Sequence, residues 1–510
     1  MDYMLERERI AAGEVVYDGC QEQPVDMDIS LPDYCPDIQR ILKCQVYPRI
    51  TSRSVMGDRL MLDGGFDVKV FYLDPEGKSV RCYDSGDSFS SEIALKQPAD
   101  NAQIVASARV EYINCRATSP RRLDVHGAFS LCARVVAAGQ DEVVGNISGE
   151  DIEQQKNKVP LNQLTGLAQQ QFSVDEVLEL GSGKPPADSI MRSDAFAVLQ
   201  DFKIAAGKLM LKGEVCVKFL YLPTGENAAP EAMEYSIPFT QMVDCDGVTE
   251  DCLCDIKLSV FDVQTQIKND YSGDKTFFDT QVKVIVTAQA FCRTEVTVVN
   301  DAFSRKFDLQ MESKPKTIDN LSELAGDTFV NRSDIALEDN TVSKVLDIWS
   351  EMAGVSAEIS DGKLTFKGKY GLCVLALNGD GTPFYFERLI DFEYSRASGA
   401  SGDVRGQADV SGGGISYRIT GSGIETKTEL RLSAEIYTKF AFKAVASVSA
   451  DETKPTPTDP AASLCLYFAS AGESIWNIAR TYRTSPDSIR SENGLSGESV
   501  ENRGMLLIPM

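Results

Sequence analysis

Apolar and polar positions alternate over long stretches of this chain, and three stretches read as copies of one another. RLMLDGGFDVKVFYLDPEGK (Arg59–Lys78), KLMLKGEVCVKFLYLPTGEN (Lys208–Asn227) and KLTFKGKYGLCVLALNGDGT (Lys363–Thr382) align without a gap. Each has a basic residue, an alternating run, a glycine (Gly64, Gly213 or Gly368), a second alternating run and a glycine-containing turn. Alternation of period two marks a strand with one buried face. Upstream of each copy lies a piece that starts with apolar periodicity and turns strand-like: Pro36–Ile50, Asp188–Ile204 and Ser343–Ile359. Downstream lies another strand pattern: Arg122–Ala137, Phe278–Arg293 and Thr428–Val445. The shared order of elements predicts a multidomain, mainly β chain with three homologous antiparallel β-domains. Periodicity alone leaves sandwich and barrel open.

The repeats are expected at residues 13–146, 172–308 and 329–450. The polar, Gln-rich stretch 147–171 reads as a linker or helix, and Lys314–Asp327, which opens on Lys-Pro-Lys, as a second connection. Residues 451–463 contain DETKPTPTDP (Asp451–Pro460). Alternating Pro and Thr favours an extended linker that packs no core. It sets apart a tail, residues 464–510, expected to move freely.

Within the tail the period changes. Leu464–Ala469 alternates as a short strand. Ser474 is placed to cap a helix, and Ile475, Ile478, Ala479 and Tyr482 follow at helical spacing. Ser485-Pro486 opens a second helix, Asn493-Gly494 ends it, and Met505–Pro509 is a second strand. The order is strand, helix, helix, strand.

Charge and composition narrow the function. The 510 residues fit three to four domains of about 150 residues each. With 51 basic and 76 acidic residues, the net charge is −25, which argues against nucleic acid or an anionic membrane as the main partner. No apolar run reaches the roughly 18 residues of a membrane span. The charged start, Met1–Ile10, lacks a signal-peptide core, so the thirteen cysteines are expected as reduced, mostly buried thiols of a cytosolic protein. Cys245, Cys252 and Cys254 form the tightest group, which lacks an obvious fourth metal ligand and reads first as strand cysteines. His126 is the single histidine, which excludes a di-His zinc site. It lies in an alternating run and reads as a strand residue before a catalyst. GSGKPP (Gly181–Pro186) is too short for a phosphate loop, and its prolines remove N–H donors. SGGGIS (Ser411–Ser416) reads as a hairpin or loose loop.

The tail resembles a LysM domain. The resemblance rests on Tyr467, Gly472-Glu473-Ser474-Ile475-Trp476, Ile478-Ala479, Tyr482, Ser485, Ile489, Asn493-Gly494-Leu495, Gly504 and Leu507-Ile508-Pro509. It implies a small α/β fold that binds N-acetylglucosamine polymers such as peptidoglycan or chitin. The groove would lie between the loop Ala471, Gly472, Glu473 and Ser474 and the loop Gly494, Leu495 and Ser496, with Ile475 and Asn493 as further candidate partner- or glycan-binding residues. Glu473 stands where the usual residue is Asp, and Glu498 and Glu501 make the approach to the last strand unusually acidic. Trp476 reads first as core packing and second as a sugar platform. Gly494 reads as a helix cap and Asn493 as a backbone-bonding residue.

The repeats, through VDMDISLPDYCPDIQRIL (Val25–Leu42) and GDRLMLDGGFDVKVFYL (Gly57–Leu73), resemble a domain of unknown function in clostridial sporulation proteins. Three such units before a LysM domain are similar to the SipL-like family of clostridial spore-coat morphogenetic proteins. That resemblance implies a non-enzymatic scaffold in the mother-cell cytoplasm, at the forespore surface. It implies a LysM domain that docks on the coat's basement-layer morphogenetic ATPase, with other coat proteins as further partners and no cofactor. The alternative is a peptidoglycan-binding anchor. Abundant acidic pairs keep open an enzyme, such as a hydrolase with two carboxylates about 5–10 Å apart, but this is the weakest reading, because no nucleophile elbow, metal-binding run or phosphate loop accompanies them.

Overall fold

The computed structural model describes residues 3–10, 13–99, 102–138, 142–205, 207–225, 228–337, 341–421, 423–455 and 463–510. Three repeats follow one plan. The first has β1 (Met4–Arg9), β2 (Gly13–Ser30), β3 (Arg40–Met56), β4 (Arg59–Leu73), β5 (Val80–Ala94), β6 (Gln103–Ser119), β7 (Arg122–Ala138) and β8 (Glu142–Ser148). The second has β9 (Ile152–Glu179), β10 (Ala187–Ala205), β11 (Lys208–Pro223), β12 (Glu231–Asp244), β13 (Leu253–Asn269) and β14 (Lys275–Ser304). The third has β15 (Phe307–Ala336), β16 (Val342–Ser360), β17 (Lys363–Asn378), β18 (Pro383–Ala397), β19 (Val404–Thr420) and β20 (Gly423–Pro455).

Each repeat is a sandwich of two three-stranded antiparallel sheets. One is a meander: β3-β4-β5, β10-β11-β12 and β16-β17-β18. In the other, the strand that closes the sandwich lies between the strand before the meander and the strand after it: β2-β7-β6, β9-β14-β13 and β15-β20-β19. Alternate residues of both sheets fill one core per repeat. In the first, Leu60, Leu62 and Val68 of β4 meet Leu123, Val125 and Phe129 of β7.

The shared glycine has one physical cause. A Cβ on Gly64, Gly213 or Gly368 would sit 2.6, 2.7 or 2.5 Å from the ring tip of Phe89, Phe239 or Phe392. Those phenylalanines are its register partners on the neighbouring strand. On the other side a backbone carbonyl, of Arg49, Val198 or Gly354, approaches as closely. The ring lies over the glycine, so any side chain would displace it.

The expected connections turn out to be strand. Stretch 147–171 falls mostly in β9, which pairs with β14 from Ile152↔Ser304 to Glu179↔Phe277. Lys314–Asp327 lies within β15. The second repeat therefore begins at Ile152, not 172, and the third at Phe307, not 329. The first gains Met4–Arg9, which pairs with β8. These segments looked like linkers because their outward positions are Gln, Asn and Lys. Their buried positions are few, as with Val159 and Leu161. Of the Pro/Thr stretch, Asp451–Pro455 ends β20 and residues 456–462 lie outside the described residues. No described helix is long and apolar enough to cross a membrane.

Beyond the sandwiches each repeat has a two-stranded arm: β1 with β8 in the first, and the outer halves of β9 with β14 and of β15 with β20 in the others. The three arms pack together. Tyr3, Val144 and Ile147 of the first meet Ile152, Val299 and Ala302 of the second and Val445 and Val448 of the third. At the other end the meander sheets meet. A β-bulge recurs at Leu42, Met191 and Leu346, and these bury against Phe71, Leu220 and Leu375. The next residues, Lys43, Arg192 and Asp347, occupy equivalent register positions but carry unlike charges. Arg192 and Lys218 hold the Asp347 carboxylate at 2.8 and 2.9 Å. The Arg192 guanidinium lies 4.3 Å from the Trp349 ring centre. Lys43 pairs with Glu351 at 3.1 Å and Glu387 at 2.9 Å. Burial pushes the Asp347 carboxyl up, but the Arg192 and Lys218 charges and hydrogen bonds outweigh it and hold it below the usual carboxylate range.

The cysteines are not all free thiols. Cys20–Cys132 joins register partners on β2 and β7, and Cys252–Cys292 joins β14 to the residue preceding β13. Strand register places these side chains opposite each other, which the linear spacing hid. Cys252 therefore does not share a centre with Cys245 and Cys254.

Gly213→Val should cost about 3 kcal/mol or more by overpacking, read from denaturant unfolding. Asp347→Asn, which removes the buried carboxylate that Arg192 and Lys218 share and leaves Arg192 with Asp194 alone, should cost about 3 kcal/mol at neutral pH. Because the folded carboxyl is depressed, its stabilisation is complete above the unfolded value of about 3.9 and is lost as pH falls through the lower folded value. The gap between wild type and Asp347→Asn should hold at pH 7 and close only below about pH 4.

Candidate functional site

The tail folds as β21 (Leu464–Ala469), α1 (Ile475–Tyr482), α2 (Pro486–Asn493) and β22 (Gly504–Pro509). Its core is Ala469, Ile475, Ile478, Ala479, Ile489, Val500, Leu506 and Ile508. Ser485 caps α2 by accepting from the Asp487 N–H, with Pro486 in the first turn. Gly494 closes α2 at φ 62°, a left-handed position suited to glycine.

The nine residues named from the sequence divide by structure. The Gly472 N–H donates to the Val500 carbonyl at 2.8 Å, Val500 N–H to Glu473 at 2.9 Å and Ile475 N–H to Glu498 at 3.0 Å. Ser474 forms a bridge with Ser499. The entry loop is thus laced to the segment before β22. Ile475 is fully buried and presents no surface, against the expectation that included it. Asn493 donates to the Ile489 and Leu507 carbonyls at 2.8 and 2.7 Å and accepts from the Leu507 N–H at 2.7 Å, pinning α2 to β22. Leu495 is half-buried against the tail core. Glu473 accepts from the Tyr467 hydroxyl and, at 3.0 Å, from the Ser470 N–H. The Tyr467 bond, then the Ser470 bond, hold its carboxyl below the usual range. Ala471, Gly472, Gly494 and Ser496 remain exposed.

A second face of α1 holds the tail on the body. The Trp476 Nε1–H donates to Asp301 Oδ2 at 2.9 Å, and its ring meets Phe303 edge-on at 4.9 Å. Arg480 pairs with Asp301 and Arg483 with Asp308. Arg483 also donates to the Ser304 carbonyl at 3.0 Å. The tail thus sits at the turn from β14 to β15, not as the freely moving module expected. The missed signal was spacing. Positions 476 and 480 lie at i and i+4 on α1, beside the core stripe of 475, 478, 479 and 482, and Arg483 is the left-handed residue that ends the helix.

The third tail surface is the outer face of its two-stranded sheet. Leu464, Leu466 and Phe468 of β21 stand opposite Pro509, Leu507 and Met505 of β22. Opposite residues of an antiparallel pair share a face, so this one is wholly apolar. Leu466, Phe468 and Met505 are each 62% exposed. Arg503 lies over the Phe468 ring at 5.2 Å. Alternation concealed the face because Cys465, Tyr467 and Ala469, on the other side, are also largely apolar.

Elsewhere, His126 is half-exposed on β7, 2.9 Å from Asp124 and 3.2 Å from Asp26, a strand residue among carboxylates. Gly181–Pro186 joins β9 to β10, and Lys184 pairs with Glu231 at 2.6 Å. Ser411–Ser416 is not a loop. It lies in β19 with a bulge between Gly412 and Ile415.

These features define a protein of three tandem two-sheet repeats bearing a docked strand-helix-helix-strand tail. The family model described as SipL, SPOCS domain matches residues 37–118 and 186–268. The matches span β3 to β6 of the first repeat and β10 to β13 of the second, and β16 to β19 repeat that order in the third. These two regions are similar to that domain, which is consistent with a SipL-like, sporulation-associated protein. No curated protein and no solved structure matches it.

Both tryptophans are buried, so acrylamide should quench the wild-type chain weakly. Asp301→Ala with Phe303→Ala should free the tail and make Trp476 quenchable while Trp349 stays protected. Unchanged quenching would mean that the docking contacts contribute nothing.

Proposed function

We propose that the chain is a non-enzymatic scaffold of spore-coat assembly, working in the mother-cell cytoplasm at the forespore surface. Its tail is a LysM-type domain that docks on the coat's basement-layer morphogenetic ATPase. The observation that carries this reading is the apolar outer face of β21 and β22. An exposed apolar patch rimmed by polar groups is a feature of protein-binding surfaces. A glycan groove would instead draw on the two loops, where several of the named groups are engaged in the tail's own hydrogen bonds. The face is two short strands wide, so binding energy would be concentrated in few residues, with Phe468 and Leu466 as anchors. The body serves as a rigid platform. Its buried carboxylates Asp347 and Glu435 are matched with Arg192, Lys218 and Arg134, a structural use of charge.

Full-length protein immobilised and offered the ATPase should capture it. Leu466→Glu or Phe468→Glu should weaken capture by about tenfold or more, as removal of an interface anchor does. Ser496→Arg, on the loop, should leave it unchanged. Insoluble peptidoglycan should not be retained. Retention of peptidoglycan without the ATPase would overturn the reading and make the tail a wall anchor. Loss of capture through the loop variant alone would move the interface to the loops.

A further inference from the structure

Where the sandwiches give way to the arms, all three repeats carry a bulge in the first strand: between Val15 and Tyr17, Leu164 and Gly166, and Leu321 and Glu323. Opposite the bulges stand Val136, Phe291 and Tyr437, at equivalent positions of the last strands. Two residues earlier on those strands come Arg134, Gln289 and Glu435, and these three converge. Gln289 Nε2 donates to Glu435 at 2.6 Å, Arg134 donates to Gln289 Oε1 at 3.3 Å, and Arg134 lies 3.6 Å from the Glu435 carboxylate.

Beside this triad lies a cavity of about 650 Å³ lined by all three repeats. That is within the usual range for small-molecule sites, about 300–1,000 Å³. Its apolar wall includes Val136, Leu161, Leu164, Phe291, Ile318 and the Tyr437 ring. Its charged lining is Lys96, Arg134 and Arg405 against Asp18 and Asp319, a cationic balance in a chain of net charge −25. Lys96 and Arg405 are exposed and make no ion pair among the described residues. The Arg134 Nε is buried with no hydrogen-bond partner. Packing accounts for the triad, which tells three similar repeats apart. It does not account for an open cleft walled by rings and faced by two unpaired cations.

We propose that this three-repeat cavity is a binding site for a small organic anion with a ring or apolar body. The acidic group faces Lys96 and Arg405, and the body lies against Phe291, Tyr437 and the aliphatic wall. Recognition of this kind needs the assembled body, because each repeat supplies only part of the lining.

The test uses the full chain and the anionic probe 8-anilinonaphthalene-1-sulfonate, with neutral N-phenyl-1-naphthylamine as its uncharged counterpart. The anionic probe should bind saturably at one site, and the neutral one more weakly. Lys96→Glu with Arg405→Glu, both at exposed positions, should weaken the anionic probe about tenfold and leave the neutral one unchanged. Leu164→Trp should fill the cavity and remove both signals. Leu466→Glu, on the tail face, should change neither. Equal binding of the two probes, indifference to the charge reversals, or loss of the signal through Leu466→Glu would overturn the proposal.

Discussion

The pairing of the first strand of each repeat with its last is the constraint on which the rest depends. In the second repeat it runs unbroken in direction from Ile152↔Ser304 to Glu179↔Phe277, through two bulges. Its inner half closes the sandwich, setting Phe278, Val282 and Val284 against Leu209, Leu211 and Val215 of the meander. Its outer half is the arm. Because the arm continues the same two strands, its direction is fixed by the sandwich, and three arms of like origin pack together along Ile147, Ile152, Val299 and Val445. The tail docks where one arm turns into the next, on Asp301, Phe303 and Asp308. Tail position is thus inherited from strand pairing many residues away. Such non-local pairing also makes slow folding the expectation for each repeat.

Legibility in the sequence followed burial. Strands with one apolar face, such as Arg59–Leu73 and Lys208–Pro223, declared themselves by alternation, and their glycines marked the place where a phenylalanine crosses. The arms did not, because Lys156, Gln163 and Gln171 alternate with only a few buried residues such as Val159 and Leu161. A strand that buries so little reads as linker in a single sequence. The tail's four elements were legible through Ser485, Pro486 and Gly494, whose preferences are local; Ser474 stands at the start of α1 but makes no side-chain cap bond. Its contacts were not. Trp476 reads the same whether it fills its own domain's core or docks on Phe303, and only the second helical stripe through Arg480 distinguishes the cases. Disulfide partners were hidden for the same reason as register: Cys20 and Cys132 meet only after β2 and β7 pair.

The tail illustrates how one small module divides its surface. The helical side is committed to the body by an aromatic contact and partly exposed ion pairs, each of which is worth little alone. The loops are laced to the segment before β22 by backbone hydrogen bonds. That leaves the sheet face, where Leu464, Leu466, Phe468 and Met505 are free. Docking through α1 therefore orients the face outward and fixes it relative to the platform, lowering the entropy that a partner must overcome on binding.

Divergence among the repeats did more than vary their surfaces. Three copies brought around common centres place equivalent residues in contact, so an identical charge at such a position would repel its own copies. The positions of Lys43, Arg192 and Asp347 escape this by carrying both signs, and those of Arg134, Gln289 and Glu435 by placing an amide between a cation and an anion. Buried pairs of this kind add little net stability over apolar packing, since desolvation offsets attraction. What they do supply is order. At each centre the third repeat supplies the anion, Asp347 or Glu435, that a cation of another repeat meets. The acidic excess of the chain stays on its surface, while a small set of cations is reserved for the seams between repeats. Assembly in a single arrangement is the condition under which one tail position and one three-sided cavity exist at all.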